Sequence, residues 1–308
     1  MTAECPYRYR LFGWRVASAI ALPELAPCSD DDASDVTIAL GAAPALEHPL
    51  LKTPLAQVDA NGCAYYAVPG IAAYRIERGT RVTIQPARGA DESAVRLFLL
   101  GSVLALLCQQ RQLLPLAAAT VEIHGQAVAL AGPGASGRST LAAAFWRKGH
   151  RILSDDVSAV AIEADAALAL PGPQRIGLWA DIVEELGWSE RPHTPCRDGL
   201  AKQSFVMPEA FAGPPLPLVA ILYLERHTPG TGGLMFRRLR GQSATTAAYR
   251  HILRGRAFHT LLGRPASVAR TAQLAGRVPR HFALRRPLRF EDLDTQVDMI
   301  VETVRSAQ

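Results

Sequence analysis

The residues best suited to chemistry form one glycine-rich stretch, Gly132-Pro133-Gly134-Ala135-Ser136-Gly137-Arg138-Ser139-Thr140. It matches the phosphate-binding pattern G-x-x-x-x-G-K-[ST] at every fixed position except the lysine, where Arg138 stands. Small residues let backbone N–H groups close around phosphate oxygens, and a helix that follows points its partial positive charge at the same anion. We therefore predict that nucleotide phosphates bind to Gly132, Gly134, Ala135, Ser136, Gly137, Arg138, Ser139 and Thr140.

Arg138 leaves two interpretations open. Lysine enters such a loop as a compact point charge, whereas arginine is a larger planar fork. The chain has 30 arginines and three lysines. That excess of arginine favours the first interpretation, in which arginine has replaced lysine in this chain generally and the loop keeps its function. The alternative is a site that has lost catalysis.

A pair of adjacent carboxylates, Asp155-Asp156, follows an apolar segment sixteen residues after Ser139. Phosphoryl transfer needs a carboxylate to hold Mg²⁺, and often a second one to accept the proton of the attacking hydroxyl. Neighbouring aspartates at a strand end can divide these roles, because one turns toward the metal and the other toward the acceptor. A polar strand end or a helix cap is the alternative interpretation.

The elements around these motifs have the alternation of an α/β protein. Apolar residues predict a strand at Ala127–Ala131, a helix from Ser139 to about Lys148 and a second strand at Arg151–Val157. Further predicted strands are Ala118–Ile123 and Leu218–Leu224. Predicted helices are Ala94–Gln112 (largely buried), Leu178–Leu186, Ser243–Leu262, Ala266–Ala275 and Glu291–Val304.

The first 89 residues have a different pattern. Short runs of strand-forming residues, separated by Gly, Pro and Asn-Gly, are typical of hairpins. These runs are Tyr7–Ile20, Val36–Leu40, Cys63–Val68, Ala72–Glu77 and Arg81–Gln85. We predict a β-rich region over residues 1–89 and a second unit over residues 90–308.

Composition excludes several classes of protein. The 308 residues, 49% of them hydrophobic and 20% charged, are typical of a globular chain with a sizeable core. The polar first ten residues do not predict a signal peptide, and the longest apolar run, Val95–Cys108, is too short and interrupted to span a bilayer. Five scattered cysteines argue against a disulfide framework. We expect a cytoplasmic protein with no membrane partner, and a homo-oligomer is compatible with the sequence.

Charge is distributed unevenly behind a net value of +5. Residues 226–290 carry 14 arginines and no Asp or Glu, whereas residues 1–225 carry 18 basic and 23 acidic side chains. A basic tract can indicate a nucleic-acid site, but here the aromatic residues are few and are not interleaved as a stacking platform. An anionic ligand, such as ATP or an acidic peptide, accounts for the charge equally well.

In the order of its motifs, the chain resembles the HPr serine kinase/phosphorylase family, and most closely the HPr-kinase-like proteins of lasso-peptide biosynthesis clusters. The resemblance covers most of the chain and is specific around residues 128–156. Besides the two motifs above, it rests on Leu114-Pro115-Leu116, Arg147–Ile152, Pro173–Ile176, Lys202, Leu218–Glu225, Val278-Pro279, Leu284–Pro287 and the opening Tyr7–Pro27.

This resemblance implies a phosphoenolpyruvate-carboxykinase-like P-loop fold and ATP-dependent phosphorylation of a serine in a precursor peptide. Ser139 and Asp155 would serve Mg²⁺, and Asp156 would be the general base. Arg175 and Lys202 would contact phosphate or substrate. Catalytic work would therefore fall on Asp156, Asp155 and Arg138.

Two positions depart from the family pattern. Arg138 replaces the lysine, and the His that the family places after Pro-Leu is absent, since Ala117 follows Pro115-Leu116. Two functions follow as expectations. The first is an ATP- and Mg²⁺-dependent serine kinase acting on a lasso-type peptide. The second is a non-catalytic module that binds nucleotide or peptide during peptide maturation.

Overall fold

The computed structural model describes residues 5–29, 32–211, 213–225 and 233–306. The described residues form a mixed α/β structure with two nine-stranded sheets and one three-stranded sheet. Residues 226–232, which open the acid-free tract, lie outside the described residues.

The first sheet contains residues from the β-rich N-terminal region. Its strands are β1 (Tyr7–Leu11), β2 (Trp14–Ser18), β3 (Ala26–Pro27), β4 (Val36–Leu40), β5 (Pro49–Lys52), β6 (Ala56–Asp59), β7 (Ala64–Val68), β8 (Ala72–Glu77) and β9 (Arg81–Pro86). Their order across the sheet is β3-β1-β2-β4-β9-β8-β7-β6-β5. Neighbouring strands are antiparallel, except the parallel pairs β2–β4 and β4–β9.

The predicted run Tyr7–Ile20 is wrong as a single strand, because the chain reverses within it. Phe12 and Gly13 both have positive φ, 52° and 81°, and Leu11 pairs with Trp14 across them. A two-residue hairpin turn of this kind needs positive φ at both central positions. The glycine supplies one of them at no steric cost, and the phenylalanine is held there by the pairing of the strands.

A long helix follows the first sheet and packs on it. It consists of α1 (Glu92–Phe98), a π-helical turn (Leu99–Val103) and α2 (Leu104–Gln110). By length and composition alone, Glu92–Gln110 could cross a membrane, but 61% of its most apolar window is buried inside the protein. The helix shares one hydrophobic core with the strands of the first sheet. The buried helix predicted over Ala94–Gln112 is thus confirmed, and the boundary between residues 89 and 90 stays a prediction.

The remaining elements form the second and third sheets and their helices. In chain order they are β10 (Leu114–Leu116), β11 (Ala118–Ile123), β12 (Gln126–Ala131), α3 (Arg138–Arg147), β13 (Ile152–Ser154), β14 (Ser158–Ile162), β15 (Ala167–Ala169), β16 (Arg175–Trp179), α4 (Ala180–Glu185), β17 (Thr194–Pro195), β18 (Lys202–Val206), β19 (Leu216–Leu224), β20 (Met235–Leu239), α5 (Gly241–Arg250), α6 (Gly255–Leu262), α7 (Arg264–Arg277), β21 (Arg280–Arg285) and α8 (Leu293–Ser306), with 3₁₀ turns at Pro208–Ala210 and Phe290–Asp292.

The second sheet lies between two layers of helices. Its order is β10-β14-β15-β19-β12-β11-β13, and β21 pairs with β19 on one side and β20 on the other. Helices α3 and α8 pack on one face, and α5 and α7 on the other. Strands β12, β19 and β21 are parallel. Their carboxyl ends therefore meet at one edge of the sheet, which is where open α/β sheets bind ligands.

The helix predicted over Ser243–Leu262 is wrong as one element. The chain leaves the helix between α5 and α6, where Arg254 adopts a positive φ of 57°. The break is held by long-range hydrogen bonds, because Leu253 N–H donates to Pro115 O (2.8 Å) and Ala117 N–H donates to His251 O (2.8 Å). The predicted helix Leu178–Leu186 starts two residues later, because Arg175–Trp179 pairs with β18.

Candidate active site

Strand β12 delivers the glycine-rich loop at the carboxyl edge of the second sheet. The loop ends at Gly137, whose φ of 79° is a left-handed conformation, and α3 begins immediately after it. Gly132 is required by space, since a Cβ there would lie 2.5 Å from Ser136 Oγ and 3.1 Å from Leu224 Cβ. No atom crowds Gly134 in this way. The local geometry is thus the strand, tight loop and helix N-terminus that the sequence predicted.

Asp155 is the buried member of the aspartate pair. Its Oδ1 accepts a hydrogen bond from Ser139 Oγ (2.9 Å), and its Oδ2 accepts one from Gly177 N–H (3.1 Å). Burial raises the pKa of Asp155 above its usual range, and the negative charge of Asp156 raises it further. The first turn of α3 and the end of β13 are therefore joined through the two residues predicted to share a metal.

Asp156 faces the cleft because the backbone turns sharply at this residue. Its φ is 64°, and Val157 N–H donates to Asp155 O across it (2.8 Å). A three-residue turn with positive φ at a non-glycine residue is uncommon and strained, and such strain is concentrated at functional sites. The turn separates the two carboxylates, so that one is buried and the other borders the cleft.

Positive charges surround the Asp156 carboxylate. Its Oδ1 lies 3.7 Å from Arg138 Nη2 and 3.8 Å from Lys202 Nζ. Burial alone would raise the pKa of Asp156, but the charges of Lys202, Arg175 and Arg138 outweigh it and lower the pKa. Asp156 is thus ionised at neutral pH.

Arg138 lies across the start of the loop. Its Nη1 donates to Gly132 O (3.0 Å), while its Nη2 is the group beside Asp156. The side chain is 15% exposed. Arg138 thus places a positive charge beside both the loop backbone and Asp156.

Of the two predicted phosphate or substrate contacts, Lys202 borders the cleft and Arg175 does not. Lys202 extends along Gly177, where a Cβ would lie 2.7 Å from Lys202 Cε. Arg175, at the start of β16, is 7% exposed and lies behind the cleft, where its charge acts on Asp156. Its place in the cleft lining therefore favours Lys202 as the contact residue.

These groups line a cleft of about 360 Å³. Its apolar rim is formed by Trp179 (42% exposed), Ile182, Leu288, Phe290 and Leu293, and its polar lining by Gly134, Ala135, Ser136, Gly137, Arg138, Ser139, Thr140, Asp156, Gly177, Asp181, Lys202, Arg286 and Arg289. The predicted loop, Asp156 and Lys202 meet here, whereas Gly132 and Asp155 lie directly behind the lining. An anion cradle beside an apolar rim suits a phosphate chain joined to a flat base.

Arg286 is the main site residue that the sequence did not reveal as such. It is 3% exposed, and its Nη2 donates to Gly137 O (3.0 Å) and Ser136 O (3.4 Å) while its Nη1 donates to Gln296 Oε1 (2.9 Å). Burial lowers the pKa of Arg286 to about 10, which leaves it charged at neutral pH. Its only signal in the sequence was its place in Leu284–Pro287, one of the stretches of the resemblance.

The donor set fits a hard divalent cation. Ser139 Oγ and Asp155 Oδ1 lie 2.9 Å apart, and Mg²⁺ characteristically takes one or two such protein oxygens together with waters and phosphate oxygens. Asp155 is buried against its hydrogen-bond donors, which fixes its orientation. Ser139 and Asp155 are therefore the residues that would hold Mg²⁺ with a bound nucleotide.

The buried charge of Asp155 makes a stability prediction. An acid whose folded pKa is raised destabilises the fold at pH values above that pKa, because ionisation is harder in the folded state. We expect Asp155→Asn, in metal-free protein at pH 7, to raise Tm by about 2–4 °C. The difference should shrink as the pH falls through the raised pKa, since Asp155 then becomes neutral. Thermal melts at pH 7 and pH 5 measure this, and a lower Tm at pH 7 would contradict it. Asp165→Asn, an exposed loop position, is the control.

The likeness of this chain to known proteins is distant. No protein-family model and no curated protein matches the sequence. Among solved structures, the HPr(Ser) kinase/phosphatase from Coxiella burnetii is similar at 12% identity and a TM-score of 0.35, over 63% of this chain and 97% of that one. So distant a likeness carries no functional conclusion, which must come from the cleft itself.

Proposed function

We propose that the protein is an ATP- and Mg²⁺-dependent serine kinase of the phosphoenolpyruvate-carboxykinase-like P-loop class. The observation that supports this best is the 2.9 Å hydrogen bond between Ser139 Oγ and Asp155 Oδ1. It joins the hydroxyl of a phosphate-binding loop to a carboxylate at the next strand end, which is the metal-holding arrangement of P-loop phosphotransferases.

In this proposal the chain contributes mainly positioning and charge. Backbone N–H groups of the loop and the N-terminus of α3 bind the phosphates, and Arg138 and Lys202 neutralise charge on the transferred group. Ser139 and Asp155 would hold Mg²⁺, which would supply charge neutralisation for the phosphates when bound. The acceptor oxygen forms a bond to the γ-phosphorus, the bond from that phosphorus to the bridging oxygen breaks, and ADP leaves.

The acceptor proton passes to Asp156, the carboxylate that borders the cleft. Its low pKa makes it a weak base, yet the transition state of phosphoryl transfer is loose and little proton transfer has occurred when it is reached. A weak, correctly placed acceptor is then sufficient.

The acceptor class comes from the sequence resemblance, which implies a serine of a ribosomally made, lasso-type precursor peptide. The arginine-rich tract over residues 226–290 supports an acidic partner, since a stretch of net positive charge attracts anionic chains. Action in the cytoplasm, where ATP and precursor peptides occur together, completes the proposal.

A non-catalytic module is the second candidate, and one contact favours it. Arg138 donates to Gly132 O and lies 3.7 Å from Asp156. Its guanidinium is therefore engaged by the protein itself, whereas a kinase would direct it at the nucleotide phosphates. A protein of this kind would bind nucleotide or peptide without turnover.

Incubation with ATP, Mg²⁺ and candidate serine peptides separates the two functions. The kinase proposal expects one serine peptide to gain a phosphoryl group by mass, and the same peptide with alanine at that position to gain none. Tight nucleotide binding without any phosphopeptide would contradict the kinase and favour the module.

Variants at Arg138 test whether arginine serves in place of the lysine. We expect Arg138→Ala to weaken ATP affinity about tenfold or more, because one charge-assisted contact to phosphate is lost. Arg138→Lys should restore affinity to within a few-fold of the wild-type value. Calorimetric titration with a non-hydrolysable ATP analogue measures both, and unchanged affinity in Arg138→Ala would contradict the assignment of the loop.

A further inference from the structure

A second cavity, of about 650 Å³, adjoins the phosphate loop at Pro133 and shares no lining residue with the nucleotide cleft. Its floor is the carboxyl end of β19 and its wall is helix α5. The lining includes Pro133, Glu225, Arg237, Leu239, Arg250 and His251. Nothing in the proposed binding of nucleotide uses this space.

The cavity lies toward the end of the loop where the terminal phosphate belongs. The cation of such a loop reaches the β- and γ-phosphates, and Arg138 is bound to Gly132 O, one residue before Pro133. The cavity wall is tied to the same point, because Gly132 N–H donates to Ala117 O (3.2 Å) and Ala117 N–H donates to His251 O (2.8 Å). A peptide held in this cavity would extend its reacting serine past Pro133 into the nucleotide cleft, where Asp156 lies.

The charge of the cavity favours an anionic occupant. Its one acidic lining residue, Glu225, is already paired with Arg237 (3.3 Å) and Arg285 (3.2 Å). Arg250 is exposed, and its guanidinium makes no ion pair or hydrogen bond within the described parts of the chain. His251 is held neutral, since burial lowers its pKa, and its Nδ1 bonds to Ala247 O (2.7 Å). Arg250 is therefore the available cation.

Strand β20, which borders the cavity, favours an extended peptide as the occupant. Among the described residues, β20 pairs only with β21 and is the edge of the sheet. Arg237 and Leu239 of this strand line the cavity. An edge strand can bind an extended peptide through its unpaired backbone groups, while pockets beside it select the side chains.

We propose that this second cavity is the acceptor subsite, that it takes an extended peptide with a carboxylate beside the reacting serine, and that Arg250 binds that carboxylate. The inference rests on the proposed kinase function and adds the location and the charge preference of its acceptor. Arg250 acts as a specificity residue, and the transfer step is the one given above.

Binding of labelled peptides tests the subsite without turnover. A serine peptide flanked by glutamates and its glutamine counterpart are titrated, by fluorescence anisotropy, against full-length protein loaded with a non-hydrolysable ATP analogue and Mg²⁺. We expect Arg250→Gln to weaken binding of the acidic peptide about ten- to a hundredfold, with the glutamine peptide and the nucleotide unaffected. Arg256→Gln, an exposed arginine of the same tract outside the cavity, should change nothing.

Two results would overturn the subsite. One is equal binding of the acidic and glutamine peptides to the wild type, and the other is equal loss of affinity in both arginine variants. Thr246→Trp, an exposed lining position on α5, should block the peptide by bulk while nucleotide affinity reports an intact fold. Peptide binding that survives this variant would also overturn it.

Mass analysis of the same samples, with ATP in place of the analogue, distinguishes failure of the kinase proposal from failure of the subsite proposal. Phosphorylation without any preference that depends on Arg250 leaves the kinase and removes the subsite. Binding that depends on Arg250 without phosphorylation keeps a peptide-binding site at this cavity, but contradicts the kinase and the role of the cavity as acceptor subsite.

Discussion

Replacement of Asp156 by asparagine should lower kcat for phosphoryl transfer about 10²-fold or more, because the variant loses the carboxylate that orients the acceptor hydroxyl and finally takes its proton. Nucleotide affinity should stay the same or rise, since the variant removes a negative charge beside Arg138 and Lys202, the groups that we propose contact the phosphates. Single-turnover transfer and calorimetric titration measure the two quantities on one preparation.

The control for this prediction is Asp165→Asn, which makes the same chemical change in an exposed loop. It should leave transfer unchanged. If Asp156→Asn retained transfer within about threefold of the wild type, the proton would have another acceptor and Asp156 would lose its assigned role.

Replacement of Arg286 by methionine should weaken nucleotide affinity about a hundredfold. Arg286 binds the carbonyls of Ser136 and Gly137 from behind the loop, so its loss removes a positive charge and the support that aims the loop N–H groups, two charge-assisted contributions of about 1.5 kcal/mol each. Stability should change less, because the variant also relieves the burial of an unpaired charge.

Matched variants separate these effects. Arg285→Met alters the adjacent residue, a surface arginine paired with Glu225, and should leave nucleotide affinity within about twofold. Arg286→Lys should rescue poorly, since a single ammonium cannot reach both loop carbonyls and Gln296 as the guanidinium fork does. Nucleotide affinity that is unchanged in Arg286→Met would show that the loop holds its shape unaided.

The sequence predicted those parts of the molecule whose causes are local. The strand, glycine loop and helix around Gly132–Thr140 follow from apolar runs, small residues and a helix start within one short segment. The buried helix after residue 91 follows from its apolar faces and from Asp91, whose carboxylate accepts hydrogen bonds from the N–H groups of Ser93 and Ala94.

The features that were missed depend on contacts between distant segments. Strand β18 has only mixed polar and apolar residues, and it becomes a strand because it pairs with β16. The helix expected over Ser243–Leu262 is interrupted because its backbone forms hydrogen bonds with the backbone of Pro115 and Ala117. Arg286 is a site residue only because β21 ends beneath a loop that lies 149 residues earlier in the chain. No local pattern encodes such placements.

In the proposed site, the loop and the aspartate pair bind a nucleotide together with Mg²⁺. The most direct test of this binding is titration of the wild type and Asp155→Ala with a non-hydrolysable ATP analogue, in Mg²⁺ and in excess chelator. We predict that chelation weakens binding to the wild type at least about tenfold and leaves the weaker binding of Asp155→Ala unchanged. Equal binding of the analogue to the wild type with and without Mg²⁺, or no binding at all, would contradict the assigned site.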